Sequence, residues 1–167
     1  MAKIRALLAI WILTCGLLLG GTAVSAEGLI QAQLSASASA VRKGETVELV
    51  LSLSGLEDLT TGLYSIQGTL DYQQTLFQDP SPEDFIPLNG WENPQYNPEN
   101  RQFVVIRRNG DVVGGPVLKI TLTAKEELTP AQAQVSIQGL SATEGKDDMF
   151  PPNAQLTLSA VSQAGSS

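Results

Sequence analysis

The sequence predicts an all-β domain, built either as two packed sheets or as a closed barrel. Residues 46–53 and 63–72 alternate apolar and polar side chains with a period of two, which is typical of strands with one buried face. Clusters of turn-forming residues separate these segments from further short apolar runs, and after the first 26 residues no long stretch has a helical period. Many short strands joined by turns indicate a sandwich or a barrel.

The alternation also predicts which side chains face outward. In residues 63–72, the side chains of Ile66, Leu70 and Tyr72 share one parity, so we expect them to face the core. The continuous apolar run 103–106 is typical of a strand covered on both faces. The alternating segment 35–40 is interpreted as the end of a first strand. Other short strands are predicted at 117–123, 135–137 and 156–158.

Turns and irregular segments are predicted from Gly, Asn, Asp and Pro. Tight turns are expected at 42–45, 109–111, 114–116 and 144–147. Residues 79–100 include five prolines and therefore cannot form a regular central strand. Residues 126–133 are expected to form one short helical turn or a loop.

The first 26 residues have the features of a secretory signal peptide. Lys3 and Arg5 precede an apolar stretch, and Val24 and Ala26 are small residues suited to cleavage after Ala26. We therefore expect a secreted domain spanning 27–161 and a loose tail at 162–167. An uncleaved membrane anchor, or a lipoprotein attached through Cys15, is the weaker alternative.

Composition excludes several function classes. The chain has no His and a single Cys, which excludes a His-dependent catalytic dyad or a His-ligated zinc site. The formal net charge is −7, and loss of Lys3 and Arg5 on cleavage makes it −9. This acidic balance argues against nucleic acid or an anionic membrane as the partner, although it is also what solubility outside the cell would require.

Several segments, taken in order, carry the landmarks of a known family. Residues 41–47 and the strand that follows match an opening V-x-x-G-(D/E)-x-V pattern. Residues 63–77 match an L-x-Y-D-P-x-x-L segment, with Gln73 and Gln74 in place of Asp-Pro. Residues 115–124 match a G-x-L-x-x-I-x-F-x-V strand, and 135–147 the strand and polar loop after it. In order and spacing, the chain resembles the cohesin domain of bacterial cellulosomes and related secreted proteins.

This resemblance implies a nine-stranded, two-sheet β-sandwich of jelly-roll topology. It implies a non-catalytic module that binds a dockerin-type module of a protein partner in extracellular polysaccharide degradation. In the family, outward positions five and seven residues before the Tyr take part in binding, and these are Gln67 and Ser65 here. Thr69 and Asp71 would continue the same face. The alternative is that these four residues are only the solvated side of a half-buried strand.

Two adjacent cations, Arg107 and Arg108, stand out in an acidic chain. At the rim of the same face they would clasp an acidic partner. The alternative is that one neutralises nearby carboxylates while the other is solvated.

A second hypothesis is direct carbohydrate binding, because sandwiches of this shape include carbohydrate-binding modules. Trp91 and Tyr96 would stack on sugar rings. The alternative is that Trp91, or Phe85 upstream of it, caps the core beneath a long loop. A structural or adhesive surface protein is a third possibility, since fold alone does not settle function.

We expect no metal, no cofactor and no catalysis. Glu144, Asp147 and Asp148 cluster in one loop, but their spacing does not match a calcium loop, and a solvated acidic turn is the simpler interpretation. Asp71 with Glu83 or Asp84 would supply the two carboxylates of a glycosidase, but nothing in the sequence sets the separation that this chemistry needs.

Overall fold

The computed structural model describes residues 30–125 and 133–160, which form an all-β sandwich. A 3₁₀ turn, Pro82–Asp84, precedes the fifth strand. The strands in this part of the chain are β1 Gln31–Ala36, β2 Ala40–Val41, β3 Thr46–Ser54, β4 Leu63–Asp71, β5 Phe85–Pro87, β6 Glu92–Asn97, β7 Gln102–Asp111, β8 Gly115–Thr123, β9 Ala133–Glu144, β10 Asp147–Met149 and β11 Ala154–Ala160.

The strands form two packed sheets. The smaller sheet has the order β1-β3-β8-β5. The larger has the order β2-β11-β9-β4-β7-β6, and β10 pairs with β9 beside this path. Every pairing is antiparallel except that of β2 with β11. The predicted two-sheet sandwich is therefore confirmed. It has eleven described strands rather than the expected nine, and three of them, β2, β5 and β10, have only two or three residues.

The core lies between the inward positions of both sheets. On β3 the side chains of Val47, Leu49 and Leu51 are fully buried. Leu49 pairs with Ile120 and Leu51 with Leu118 on β8. Across the sandwich, Ile66, Leu70 and Tyr72 are buried, as their parity predicts. Each buried Val, Leu or Ile side chain contributes about 1.5–3 kcal/mol to stability, because its apolar surface is removed from water. The buried side chains of the central strands are therefore the main source of stability.

The first strand ends earlier than the alternation suggests. β1 stops at Ala36, and Ala40–Val41 forms the separate strand β2 in the other sheet. The Ser- and Ala-rich segment between them is thus the place where the chain crosses from one sheet to the other. Small side chains suit such a crossing because they fill little space at the edge.

β7 departs from prediction in two ways. Phe103 and Val105 are buried, whereas Val104 is half-buried and Ile106 is 38% exposed, so the apolar run is covered on one face only. The predicted turn at 109–111 is also wrong, because β7 continues to Asp111. The register against β4 jumps from the Ser65–Ile106 pair to the Leu63–Asp111 pair, so the extra residues of β7 bulge out here.

Gly110 permits this irregular pairing. A Cβ on Gly110 would lie 1.9 Å from the carbonyl oxygen of Thr61, so no side chain fits there. The Asn-Gly pair therefore marks a close backbone approach within a strand and not a turn tip.

The proline-rich stretch forms edge strands, in agreement with its exclusion from central positions. β5 ends the smaller sheet and β6 ends the larger one. β6 includes Pro94, and its register against β7 shifts between Glu92 and Gln95. Asn93 has a φ of 49°, which accounts for the local kink.

Some predictions fall outside the described residues. These are the signal peptide at 1–26, the tail at 162–167 and nearly all of the segment 126–133. Within residues 30–125 and 133–160, no helix is long and apolar enough to span a membrane.

Candidate functional site

The outward side of β9, β4, β7 and β6 forms a broad surface, which we call the polar face. Strand pairing arranges it in three rows, each crossing the four strands. These rows are Thr143–Ser65–Ile106–Glu92, Ser141–Gln67–Val104–Gln95 and Gln138–Thr69–Gln102–Asn97. Neighbouring strands are about 4.8 Å apart and successive rows about 6.7 Å apart, so the three rows span about 14 Å across the strands and about 13 Å along them.

Most side chains of the polar face are uncharged and polar. Gln67 is exposed, and Ser65 and Thr69 are half-buried. The half-buried Val104 and the exposed Ile106 are apolar. All four β4 residues predicted to face outward do so. The structure thus offers a partner mainly amide and hydroxyl groups with a small apolar centre.

Ion pairs lie at opposite ends of the polar face. Asp71 ends β4, with its Oδ1 3.7 Å from Nη1 of Arg101, and its Oδ2 accepts a hydrogen bond from Nε2 of Gln138 at 3.1 Å. At the other end, Nε of Arg108 lies 3.1 Å from Oε1 of Glu92. Because both pairs are solvent-exposed, each contributes little to stability and remains available to a partner.

Arg107 and Arg108 do not share a surface, contrary to the sequence-based expectation. Adjacent residues on a strand point to opposite sides. The Arg108 side chain is 80% exposed, whereas that of Arg107 turns toward the end of the sandwich. There its Nε donates to the carbonyl oxygen of Asn109 at 2.9 Å, and its Nη1 donates to that of Asn89. Arg107 is therefore a structural residue that ties a loop to β7.

Trp91 and Tyr96 are not available to stack on a sugar. Trp91 is 4% exposed and Tyr96 is 7% exposed. The Trp91 indole N–H donates to Oδ2 of the buried Asp111 at 3.3 Å. The Tyr96 ring stacks on Phe85 with ring centroids 4.2 Å apart. Both rings belong to the core, and Phe85 is buried with them, which agrees with the alternative interpretation that Trp91 or Phe85 caps the core.

A second tyrosine near Tyr96 takes part in a hydrogen-bonded cluster. The Tyr72 hydroxyl donates to Oδ1 of Asp79 at 2.6 Å, and Nε2 of Gln74 donates to the same oxygen at 3.2 Å. Burial, followed by the bond to Asp79, raises the pKa of the Tyr72 hydroxyl well above its ordinary value. The same bond from Tyr72 lowers the pKa of Asp79. The pair anchors the loop after β4 and leaves Asp79 ionised.

The acidic loop is a hairpin whose carboxylates accept hydrogen bonds from the hairpin itself and from the segment before β4. Oε1 of Glu144 accepts from the backbone N–H of Thr61 at 2.6 Å and from that of Gly62 at 3.2 Å. Oδ1 of Asp148 accepts from the Thr143 hydroxyl at 3.1 Å. Within the described residues, no three acidic or other ligating side chains are placed to hold a metal ion.

A groove of about 400 Å³ opens on the polar face beside the β6–β7 turn, and we call it the amide groove. The sequence pattern does not predict this groove, because its walls come from β4, β7 and the proline-rich edge strand β6. The side chains that give it its chemistry are Gln67, Thr69, Gln95, Asn97, Asn100 and Gln102.

Comparison of the whole fold with solved structures gives strong matches to one family. A cohesin module from a family 33 glycoside hydrolase of Clostridium perfringens matches with a TM-score of 0.66 and 14% identity, over 79% of this chain and 96% of that one. The sixth cohesin of scaffoldin B from Acetivibrio cellulolyticus, solved in complex with a dockerin, matches with a TM-score of 0.57 and 17% identity, over 77% and 99%. This chain has the cohesin fold.

A non-cellulosomal cohesin from the archaeon Archaeoglobus fulgidus also matches, with a TM-score of 0.57 and 16% identity, over 80% of this chain and 94% of that one. No protein-family model matches the sequence, and no curated protein matches it. The cohesin fold is thus kept here at low sequence identity. The resemblance noted in the sequence is confirmed at the level of fold.

Proposed function

We propose that this chain is a non-catalytic binding module that captures a dockerin-type protein module on its polar face. The observation that carries the proposal is the polar face itself: exposed, mostly uncharged hydrogen-bonding side chains on four adjacent strands of a cohesin fold. Cohesins of this fold from Acetivibrio cellulolyticus and Clostridium thermocellum have been solved in complex with dockerins.

Ser65, Gln67, Thr69 and Asp71 supply the contacts from β4, and Ile106 supplies an apolar contact beside them. Arg108 extends from the rim and steers acidic groups of the partner. Arg107 has no part in the contact, because its side chain turns away from the polar face and its Nε and Nη1 donate to the backbone of Asn109 and Asn89. The partner therefore meets few charges and is recognised by hydrogen bonds and shape.

We also propose that the protein is exported and acts in polysaccharide degradation. The signal-like first 26 residues support export with cleavage after Ala26, and partner capture then takes place outside the cell, in polysaccharide degradation. N-terminal sequencing of the protein recovered from culture medium tests this, with Glu27 as the expected first residue. A protein found only in the cell, with Met1 intact, would contradict export.

The experiment for binding compares two threonines in equivalent positions. Thr69 on β4 and Thr121 on β8 are both half-buried and lie on central strands of the two sheets. Dockerin modules, including the one from the Acetivibrio cellulolyticus complex, are titrated into the wild-type protein and into each variant by calorimetry. We expect Thr69→Arg to weaken binding at least tenfold, because a long side chain in place of a half-buried threonine holds the partner away from the neighbouring β4 contacts.

The control, Thr121→Arg, should keep wild-type affinity, since its side chain lies on the opposite sheet. Loss of binding in Thr121→Arg and retention in Thr69→Arg would move the contact to the smaller sheet. If no dockerin binds the wild-type protein, the proposed partner class is wrong.

A further inference from the structure

We propose that the amide groove is a binding site for an uncharged oligosaccharide. The site does not involve the buried Trp91, and Tyr96, which is 7% exposed, is one of its lining residues. The proposal stands whether or not the polar face captures a dockerin. It rests on the kind of groups that line the groove, on how they are spaced, and on how several of them are held in place.

The lining selects for a neutral ligand rich in hydroxyl groups. Five of the lining side chains are primary amides, each of which offers both a donor and an acceptor. A sugar hydroxyl also donates and accepts, so amides match it without a charge. Among the described residues that line the groove, none is Asp, Glu, Lys or Arg. An ionic ligand would lose its hydration without gaining a counter-charge there.

The spacing of the lining residues suits a chain of rings. Gln67, Val104 and Gln95 lie in one row, and Thr69, Gln102 and Asn97 lie in the next. The rows are about 6.7 Å apart and the strands about 4.8 Å apart. Two or three rings lying across the strands would meet a hydrogen-bonding side chain at every strand of the second row and at both ends of the first. The groove volume is within the range of about 300–1,000 Å³ typical of small-molecule sites. A Cβ added at Gly139 would meet nothing within 4 Å, which leaves the β9 end of the groove open to a longer chain.

Several lining amides are already oriented. Nδ2 of Asn100 donates to Oε1 of Gln102 at 3.0 Å, and Oδ1 of Asn100 accepts from the backbone N–H of Gln102 at 3.0 Å. Oδ1 of Asn97 accepts from the backbone N–H of Glu99 at 2.9 Å. These bonds orient the side chains of the β6–β7 turn, which forms one wall of the groove, before a ligand binds. Less conformational entropy is therefore lost on binding. Within the described part of the chain, the side-chain amides of Gln67 and Gln95 have no protein partner, so both remain available to the ligand.

Gln67 and Thr69 belong both to the amide groove and to the β4 contacts of the polar face. A saccharide in the groove would therefore compete with a protein docked on that face, and the module would release one ligand to take the other.

The test uses NMR spectra of the ¹⁵N-labelled protein, in which side-chain NH₂ signals of Asn and Gln are resolved. Cellohexaose, xylohexaose and mannohexaose are the neutral probes, and hexagalacturonate is the charged control. We expect at least one neutral probe at millimolar concentration to shift the NH₂ signals of Gln67, Gln95 and Asn97, and hexagalacturonate to leave them in place.

Two matched glutamine variants complete the test. Gln95→Ala should weaken binding of the neutral probe about threefold to tenfold, the effect of one lost hydrogen bond. Gln33→Ala removes an exposed glutamine from β1 of the opposite sheet and should leave affinity unchanged. The proposal is overturned if no neutral probe shifts these signals, if hexagalacturonate shifts them more strongly, or if both variants bind like the wild-type protein. Because no dockerin is present, none of these outcomes bears on partner capture.

Discussion

Trp91 on the loop before β6 donates a hydrogen bond from its indole N–H to Oδ2 of Asp111 at the end of β7, at 3.3 Å. Asp111 is 3% exposed. Its Oδ1 accepts from the backbone N–H groups of Val113 and Gly114 at 3.0 and 3.1 Å, and its Oδ2 lies 3.9 Å from Nη1 of Arg107. One carboxylate therefore joins a loop, a strand and the β7–β8 turn at one end of the sandwich.

Removal of this carboxylate is expected to destabilise the fold strongly. Asp111→Ala leaves the Trp91 indole N–H unpaired in the core and deprives Arg107 of its counter-charge. We expect a loss of about 3 kcal/mol in the free energy of unfolding, measured by urea denaturation. Asp58→Ala, at an exposed position, should change it by less than about 0.5 kcal/mol. Equal losses in the two variants would contradict the role of Asp111.

The two adjacent arginines should separate in their effects. Arg107→Ala removes donors to two backbone carbonyls and should lower stability by about 1–3 kcal/mol. Arg108→Ala removes only an exposed pair with Glu92 and should cost less than about 1 kcal/mol. Thermal unfolding of both variants checks this. A larger loss for Arg108→Ala would show that their orientations are reversed.

Glu144 should contribute a pH-dependent part of the stability. The bond from the backbone N–H of Thr61, followed by that of Gly62, holds its pKa below the ordinary value near 4.5. A carboxylate with a lowered folded-state pKa stabilises the fold above the unfolded-state pKa, and this contribution is lost as pH falls through the folded-state pKa. The free energy of unfolding of the wild-type protein should therefore fall as the solution is acidified below about pH 4.5.

Glu144→Gln removes the titrating group, so its stability should fall less over the same range. Urea unfolding at a series of pH values measures this difference, and NMR titration of the Glu144 carboxyl measures the pKa directly. A Glu144 pKa at or above the ordinary value would contradict the expectation.

Gly110 should tolerate no side chain. A methyl group there meets the Thr61 carbonyl oxygen, which is backbone and cannot rotate away. Gly110→Ala should therefore cost about 3 kcal/mol or more. Gly44, with a φ of 80° and no atom within 4 Å of an added Cβ, offers the comparison. Gly44→Asn should cost at most about 1 kcal/mol, because Asn adopts positive φ more readily than other residues. Similar losses in both variants would exclude the close contact as the cause.

The sequence correctly predicts those features that depend only on neighbouring residues, such as the alternation of side chains along a strand. Alternation on β4 correctly places Ile66 and Leu70 inside and Gln67 outside, because successive side chains on a strand alternate between faces. The same rule, applied to β7, separates Arg107 from Arg108. Two adjacent arginines suggest a shared function, but on a strand adjacent side chains point to opposite sides.

The remaining features depend on contacts between distant residues. Burial of Trp91 requires Asp111, twenty positions later, as its hydrogen-bond partner. The strand at Asn109–Gly110 depends on the close approach of Thr61, since the local residues alone favour a turn. The amide groove needs β6 beside β7, and a proline-rich stretch carries no periodic signal that would predict this pairing.

The position of Pro94 in β6 bears on how the protein behaves at high concentration. β6 is the last strand of the larger sheet, and a proline has no N–H to offer to a further strand. Together with the kink at Asn93, this disfavours the addition of a further strand at the β6 edge. Copies of the module crowded at a surface would therefore not join through this edge of the larger sheet.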